Sequence, residues 1–291
     1  MNITLVDNSF RRNGCPLCHS SNVHKVDSAD YGGIVNFSSL EISLNHQPEL
    51  WVCGQCSSGF VQNIIPETTT TTLYSMSRAG DRWSRIPFDQ SKTSEVVHAM
   101  SLVFKDKGRV LDVGCNTGEL LDFAGTFGCV TSGLEYSDDS REVIRGKGHT
   151  PYQAFDEISD QFEIITAFDL IEHLYDIPTF LSTCHDKLVK GGKLIVLTGD
   201  IQSVSARASG AHWWYVQYPE HIVFPSRLFF ESLSNFKLEN WVPTYAAAAY
   251  NYPFYRTLLS HFKRMVTLKK YNGLPSRFPD HALIILTKVG D

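Results

Sequence analysis

Three sets of residues in this chain have the types and spacing to do chemistry. The first is Asp112-Val113-Gly114-Cys115-Asn116-Thr117-Gly118, an acid followed by a turn with two glycines. A glycine turn lets the backbone approach a ligand closely, and a helix start behind it offers backbone N–H groups. Twenty-three residues after Asp112 stands Glu135, placed to accept both hydroxyls of a ribose. A dinucleotide cradle would read Gly-x-Gly-x-x-Gly; here the pattern is Asp-x-Gly-x-x-x-Gly, with Asn116 where a middle glycine would fall. A carboxylate beside the turn repels pyrophosphate and attracts an ammonium group. The expected ligand is a nucleoside bearing an amino acid.

The second set is Cys15-Pro16-Leu17-Cys18 and Cys53-Gly54-Gln55-Cys56, separated by 34 residues. Two such knuckles close a tetrahedral thiolate site, and four cysteines leave no open position, so the metal expected is structural. Zinc fits best, with iron or a redox dithiol as the alternatives. A bound ion would fold a module too small to fold alone. The third set is Tyr218, Glu220 and His221, a phenol, a carboxylate and an imidazole within four residues. A carboxylate can orient a histidine and raise its basicity, so His221 is the candidate general base and Glu220 its expected helper. Trp213, Trp214 and Tyr215 precede them and can wall off water.

These residues need a frame. Apolar spacing predicts a helix over Ser91–Phe104, followed by a strand at Arg109–Val113 and a helix at Gly118–Phe127. A strand at Cys129–Leu134, a helix at Asp138–Gly146 and a strand at Phe162–Phe168 come next. Ile177–Val189 reads as a helix stopped by Gly191-Gly192, and Lys193–Thr198 as a strand. Beyond them Ser226–Asn235 reads as helix, with Lys237–Val242 and Ala282–Lys288 as strands. Such alternation demands a parallel sheet with helices on both faces. The expected organisation is a zinc-ribbon module over residues 1–65, a linker and N-terminal helices over 66–107, and a nucleoside-binding domain over 108–291. Segments 200–225 and 243–280 would cover the acceptor. Thr68–Thr72 reads as solvated linker, with a short edge strand as the alternative. Arg256, His261, Lys263, Arg264, Lys269 and Lys270 read as a solvated face, or as contacts to an acceptor's phosphate or carboxylate.

Composition narrows the class. Hydrophobic residues make up 43% and charged residues 20% of the 291, enough for a real core. The net charge of −5 argues against a nucleic-acid partner. No stretch is long and apolar enough to span a bilayer, and the start of the chain lacks a signal-peptide core. Seven unevenly placed cysteines fit metal binding in a reducing, cytoplasmic setting better than a disulfide framework. Oligomeric state is not legible.

The glycine turn resembles the first motif of class I S-adenosylmethionine (SAM) dependent methyltransferases. Phe162 to Leu174 is similar to their fourth-strand motif, and Leu188 to Leu194 to the turn before their fifth strand. The resemblance implies a doubly wound, Rossmann-like, mostly parallel seven-stranded sheet. It implies that Asp112, Gly114, Cys115, Asn116 and Gly118 line the methionine side of SAM and that Glu135 holds the ribose. Tyr136, Phe155 and Asp156 would border the adenine, and Ala167, Phe168 and Asp169 the amino group. The expected product is S-adenosylhomocysteine (SAH). Glu172-His173 lies near the site in that family, although a cap and a packed ring is the plainer reading of the pair. The Tyr-x-Glu-His run, together with an N-terminal four-cysteine zinc module, is similar to nucleotide-sugar C-methyltransferases. In them the matching tyrosine, glutamate and histidine face the substrate.

The reading that follows is a methyltransferase acting on a small molecule, a sugar nucleotide or a natural-product intermediate. Two rivals differ in class. One is a zinc-finger ribosomal-RNA methyltransferase, since Cys15 to His19 resembles such a knuckle; salt-dependent RNA binding would favour it. The other is a non-catalytic scaffold, which failure of SAM to raise the melting temperature would favour.

Overall fold

The computed structural model describes residues 4–6, 8–29, 33–76, 86–248, 255 and 278–290. The N-terminal part is built of short strands: β1 (Thr4–Val6), β2 (Phe10–Arg11), β3 (Val23–Ser28), β4 (Ile34–Phe37), β5 (Leu40–Leu44), β6 (Glu49–Cys53), β7 (Gly59–Val61) and β8 (Asn63–Ile64). The stretch between the cysteine pairs thus supplies the hairpin β4–β5, which pairs with β1.

Thr68–Thr72 is not linker. It lies inside helix α1 (Glu67–Met76), where the hydroxyls of Thr71 and Thr72 donate back to carbonyls four residues earlier at 2.9 Å. Thr70 and Leu73 are buried, which anchors the helix by one face. The predicted helix at Ser91–Phe104 is divided into α2 (Phe88–Ser91) and α3 (Ser94–Phe104). Val96, Met100, Val103 and Phe104 form the buried face of α3, as their spacing requires.

The main domain alternates as expected: β9 (Arg109–Val113), α4 (Glu119–Thr126), β10 (Val130–Leu134), α5 (Asp138–Gly146), β11 (Thr150–Tyr152), β12 (Phe162–Phe168), α6 (Ile177–Lys187) and β13 (Leu188–Gly199). It continues through α7 (Val204–Ser209), β14 (Val223–Phe224), α8 (Arg227–Glu231), β15 (Phe236–Thr244) and β16 (His281–Lys288). Seven strands form one sheet in the order β11-β10-β9-β12-β13-β16-β15. The first five run parallel, and β16 is antiparallel to both β13 and β15.

Three departures have local causes. Helix α6 stops at Lys187 because Leu188 already pairs with Phe162; the ladder resumes at Lys193 with Ile164, so Gly191-Gly192 sits in a bulge of β13. Helix α8 is shorter than predicted, since Phe236 is already in β15. Strand β11 carries Pro151, which an edge position tolerates. Most of 243–280, with the cations Arg256 to Lys270, lies outside the described residues.

The N-terminal part is knitted to the main domain. Strand β14 pairs with β7 and completes a four-stranded sheet, β14-β7-β6-β3. Ser226 donates its hydroxyl to the Cys56 carbonyl, and its amide N–H donates to the Ser58 hydroxyl oxygen at 3.0 Å. The central strand β9 has β10 on one side and β12 on the other, so the chain reverses its winding there. Ligands of such sheets sit at the carboxyl ends of the strands at that reversal.

Candidate active site

The turn after β9 has left-handed backbone at three alternate positions, Gly114 (φ +74°), Asn116 (φ +48°) and Gly118 (φ +85°). A side chain at Gly118 would place its Cβ 2.9 Å from Ile144 Cγ2, so only glycine lets α4 start this close to α5. Cys115 buries its thiol with Leu121 and Ile144, under Gly133. Only the backbone of Cys115 can therefore serve a ligand.

The acids converge. Asp112 is buried, and Thr166 donates its hydroxyl to Asp112 Oδ1 at 2.6 Å. Burial pushes its carboxyl up to about 7, with repulsion from Glu135 and Glu119 adding to it and the Thr166 bond opposing it. Glu135 accepts from the amides of Asn116 and Ser137, each at 3.0 Å, and so is fixed to the glycine turn. At the end of β12, Asp169 adopts φ +50°. Its Oδ2 accepts from Lys92 Nζ at 2.8 Å, while Oδ1 is buried with no donor among the described residues.

The remaining predicted cofactor residues differ in placement. Ala167 is fully buried and offers only backbone, and Phe168 lies half-buried with Lys92 Nζ 6.0 Å from its ring centre. Tyr136 is 80% exposed, and Asp156 is exposed on the turn Phe155–Glu157. Phe155 packs on Phe180, with ring centres 6.2 Å apart.

The expected Tyr218-Glu220-His221 unit is split. Tyr218 is buried and its hydroxyl meets His46 Nε2 at 2.7 Å, while Glu220 Oε1 accepts from the Ser38 amide at 3.0 Å. Glu220 thus does not orient His221. That task falls to the Tyr215 carbonyl, which accepts from His221 Nδ1–H at 2.6 Å. This bond sets the tautomer and leaves the Nε2 lone pair available. Burial, and after it His173, holds the His221 ring well below its usual pKa, so it is neutral.

Beside His221 stand Glu172 and His173, which the sequence reads as a cap and a packed ring. Glu172 is fully buried, accepting from Thr198 Oγ1 at 2.9 Å and from the Tyr215 hydroxyl. The His173 ring lies edge-on to that of His221, centres 4.6 Å apart. Trp213 is core, whereas the half-buried Trp214 donates to Asp280 Oδ2 at 2.5 Å and stacks on His281. Lys92 and the adjacent pair Asp280-His281 belong to no motif in the sequence, and no local pattern announces them.

The four cysteines also converge, their sulfurs all within 4.8 Å of one another. Cys15–Cys56 and Cys18–Cys53 are each 3.6 Å apart, close to the ~3.8 Å spacing of sulfurs about a tetrahedral ion with bonds of about 2.3 Å. The amides of Gln55 and Cys56 donate to Cys53 Sγ at 3.3 and 3.5 Å, as a knuckle requires.

Comparison with known proteins agrees with this frame. A family model described as a methyltransferase domain matches residues 86–235, just over half of the chain. The chain belongs to this family. It is 29% identical over 136 residues to a ubiquinone biosynthesis O-methyltransferase of Coxiella burnetii, covering 41% of this chain and 57% of that protein. It is 27% identical over 104 residues to the human mitochondrial ubiquinone biosynthesis O-methyltransferase, covering 31% of this chain and 28% of that protein. The chain thus spans less than two thirds of the length of these relatives. Among solved structures, coclaurine N-methyltransferase bound to N-methylheliamine and SAH aligns with a TM-score of 0.48 at 16% identity, covering 71% of this chain and 75% of that one. Among the described residues no helix is long and apolar enough to cross a membrane.

Proposed function

We propose that this chain transfers a methyl group from SAM to an oxygen of a small-molecule acceptor, a sugar nucleotide or a natural-product intermediate. The observation that carries the reading is the convergence of Asp112, Glu135 and Asp169 at the ends of three adjacent parallel strands, with Asp169 Oδ1 buried and lacking a donor. An ammonium group is the partner that oxygen lacks, and a ribose is the partner Glu135 suits. SAM supplies a methyl group on a positively charged sulfur. Membership of the methyltransferase-domain family supports this assignment, and the names of the matched relatives favour oxygen as the atom methylated.

In this reading Asp112, Gly114, Cys115, Asn116 and Gly118 hold the amino-acid end, the first and last by side chain and turn, Cys115 by backbone. Glu135 holds the ribose, with Tyr136, Phe155 and Asp156 at the base, and Ala167, Phe168 and Asp169 at the amino group. His221 faces the acceptor with a neutral ring whose Nε2 can take a proton. Tyr218 and Glu220 position its segment against the β4–β5 hairpin. Residues 1–65 act as a module held by zinc at Cys15, Cys18, Cys53 and Cys56, residues 66–107 join it, and 108–291 bind cofactor and acceptor.

Titration calorimetry with SAH tests the reading. One site per chain, weakened by Glu135→Gln, is expected. No heat and no rise in melting temperature at a large excess of SAH would overturn it.

A further inference from the structure

Glu172 and His173 end the turn that follows β12, and His221 lies in the segment that leads into β14. The two segments are zipped together, the Ile222 amide donating to the Glu172 carbonyl at 2.8 Å. One ligand atom from each of Glu172, His173 and His221 lies within 4.8 Å of the others. An ion with bonds of about 2.1 Å spaces neighbouring ligand atoms about 3 to 3.5 Å apart, so a shift of roughly 1 Å closes the group on an ion.

The surroundings of the three side chains are those of ligands. A metal-bound histidine has its second ring nitrogen fixed by an outer partner. Here His221 Nδ1–H donates to the Tyr215 carbonyl at 2.6 Å, and His173 Nδ1 meets the Tyr74 hydroxyl at 3.2 Å. Ligating carboxylates are likewise hydrogen-bonded, and Glu172 accepts from Tyr215 and Thr198. A second observation points the same way. Glu172 is 0% exposed, and no lysine or arginine pairs with it among the described residues. A buried carboxylate without a cation is costly, and a divalent ion is a cation this cluster can hold.

We infer that Glu172, His173 and His221 bind a divalent transition-metal ion, separate from the cysteine site; His221 Nε2 then ligates the ion in place of taking the acceptor's proton. Two imidazoles and one carboxylate are the donor set of catalytic zinc sites and of open non-haem iron sites, which keep positions free. The free positions would take an acceptor oxygen, a role that rests on the acceptor-pocket reading above; binding of the ion itself does not.

Cobalt(II) alone is the probe, added to the full-length protein with its cysteine site already loaded with zinc. About one further equivalent is expected to bind, giving weak visible bands without the strong thiolate charge-transfer absorption of a cysteine site. His173→Gln and His221→Ala should each weaken that binding at least tenfold. His173 is only half-buried, so His173→Gln is the variant that keeps the fold, checked by its melting curve. No cobalt beyond the cysteine equivalent, or binding that survives both histidine changes, overturns the inference and leaves His221 a bare base. SAH calorimetry on the same samples reads the cofactor proposal independently. SAH bound without cobalt sinks the metal site alone; cobalt bound without SAH sinks the cofactor reading alone.

Discussion

The Ser38 amide donates to Glu220 Oε1 at 3.0 Å across 182 residues of sequence. Beside it, His46 and Tyr218 meet at 2.7 Å. The hairpin between the two cysteine pairs therefore holds the outer side of the segment whose next residue is His221. Glu220→Gln should weaken a charge-assisted bond worth about 1.5 to 3 kcal/mol, and Tyr218→Phe should remove a neutral one worth about 0.5 to 1.5 kcal/mol. SAH affinity should not change in either. Hydrogen exchange over residues 33–44 should quicken in both variants; unchanged exchange would show that these contacts do not hold the hairpin.

Asp112 gives a pH signature. Its carboxyl is pushed from 3.8 up to about 7 by burial. In the window from about 4 to about 7 the unfolded chain has released this proton and the folded protein keeps it, so stability falls as pH rises through the window. Asp112→Asn removes that slope. The variant should match the wild type near pH 4 and exceed it by up to a few kcal/mol at pH 8, although it binds SAH more weakly. Denaturant melts at both values read this; a gap that stays constant with pH would mean that Asp112 is ionised throughout.

Much of this was legible in sequence where one pattern fixed both spacing and chemistry. The glycine turn, Glu135 at the end of β10 and the paired cysteines are local signals, and each lies where its spacing put it. The apolar runs of β9, β12 and β13 likewise report burial in a parallel sheet. What failed depended on contacts distant in sequence. Glu220 is adjacent to His221 in the chain, yet successive residues of an irregular segment face different ways, and Ser38 takes the carboxylate. Lys92 reaches Asp169 across 77 residues, which no local pattern announces. Thr68–Thr72 looked solvated because threonine is a poor helix former, and burial of Thr70 and Leu73 overrides that preference.

Asp169 separates charge from backbone. It sits at φ +50°, a region asparagine tolerates and alanine does not. Asp169→Asn should therefore keep the fold and lose SAH affinity by about tenfold or more, as expected for one charge-assisted bond of about 1.5 to 3 kcal/mol. Asp169→Ala should lose affinity and also stability. Equal melting temperatures for the two variants would remove the argument from backbone strain, and undiminished SAH affinity would remove Asp169 from the cofactor site.

Removal of the zinc proposed at the four cysteines should reach further than their own strands. The Cys56 carbonyl accepts from the Ser226 hydroxyl, and β7 pairs with β14, which follows His221 by one residue. A chelator strong enough to strip this site frees those bonds and slackens the His221 segment, whereas Asp112, Glu135 and Asp169 stand on β9, β10 and the end of β12, in the other sheet. The full chain without cysteine-bound metal should keep its SAH affinity within about threefold, while turnover of any accepted substrate falls by tenfold or more, a loss of about 1.4 kcal/mol in the barrier term. Hydrogen exchange should rise at residues 49–61 and 222–226 together. Exchange that rises in the first stretch alone would show that the module unfolds without pulling on the acceptor side, and the coupling argued from Ser226 would be wrong.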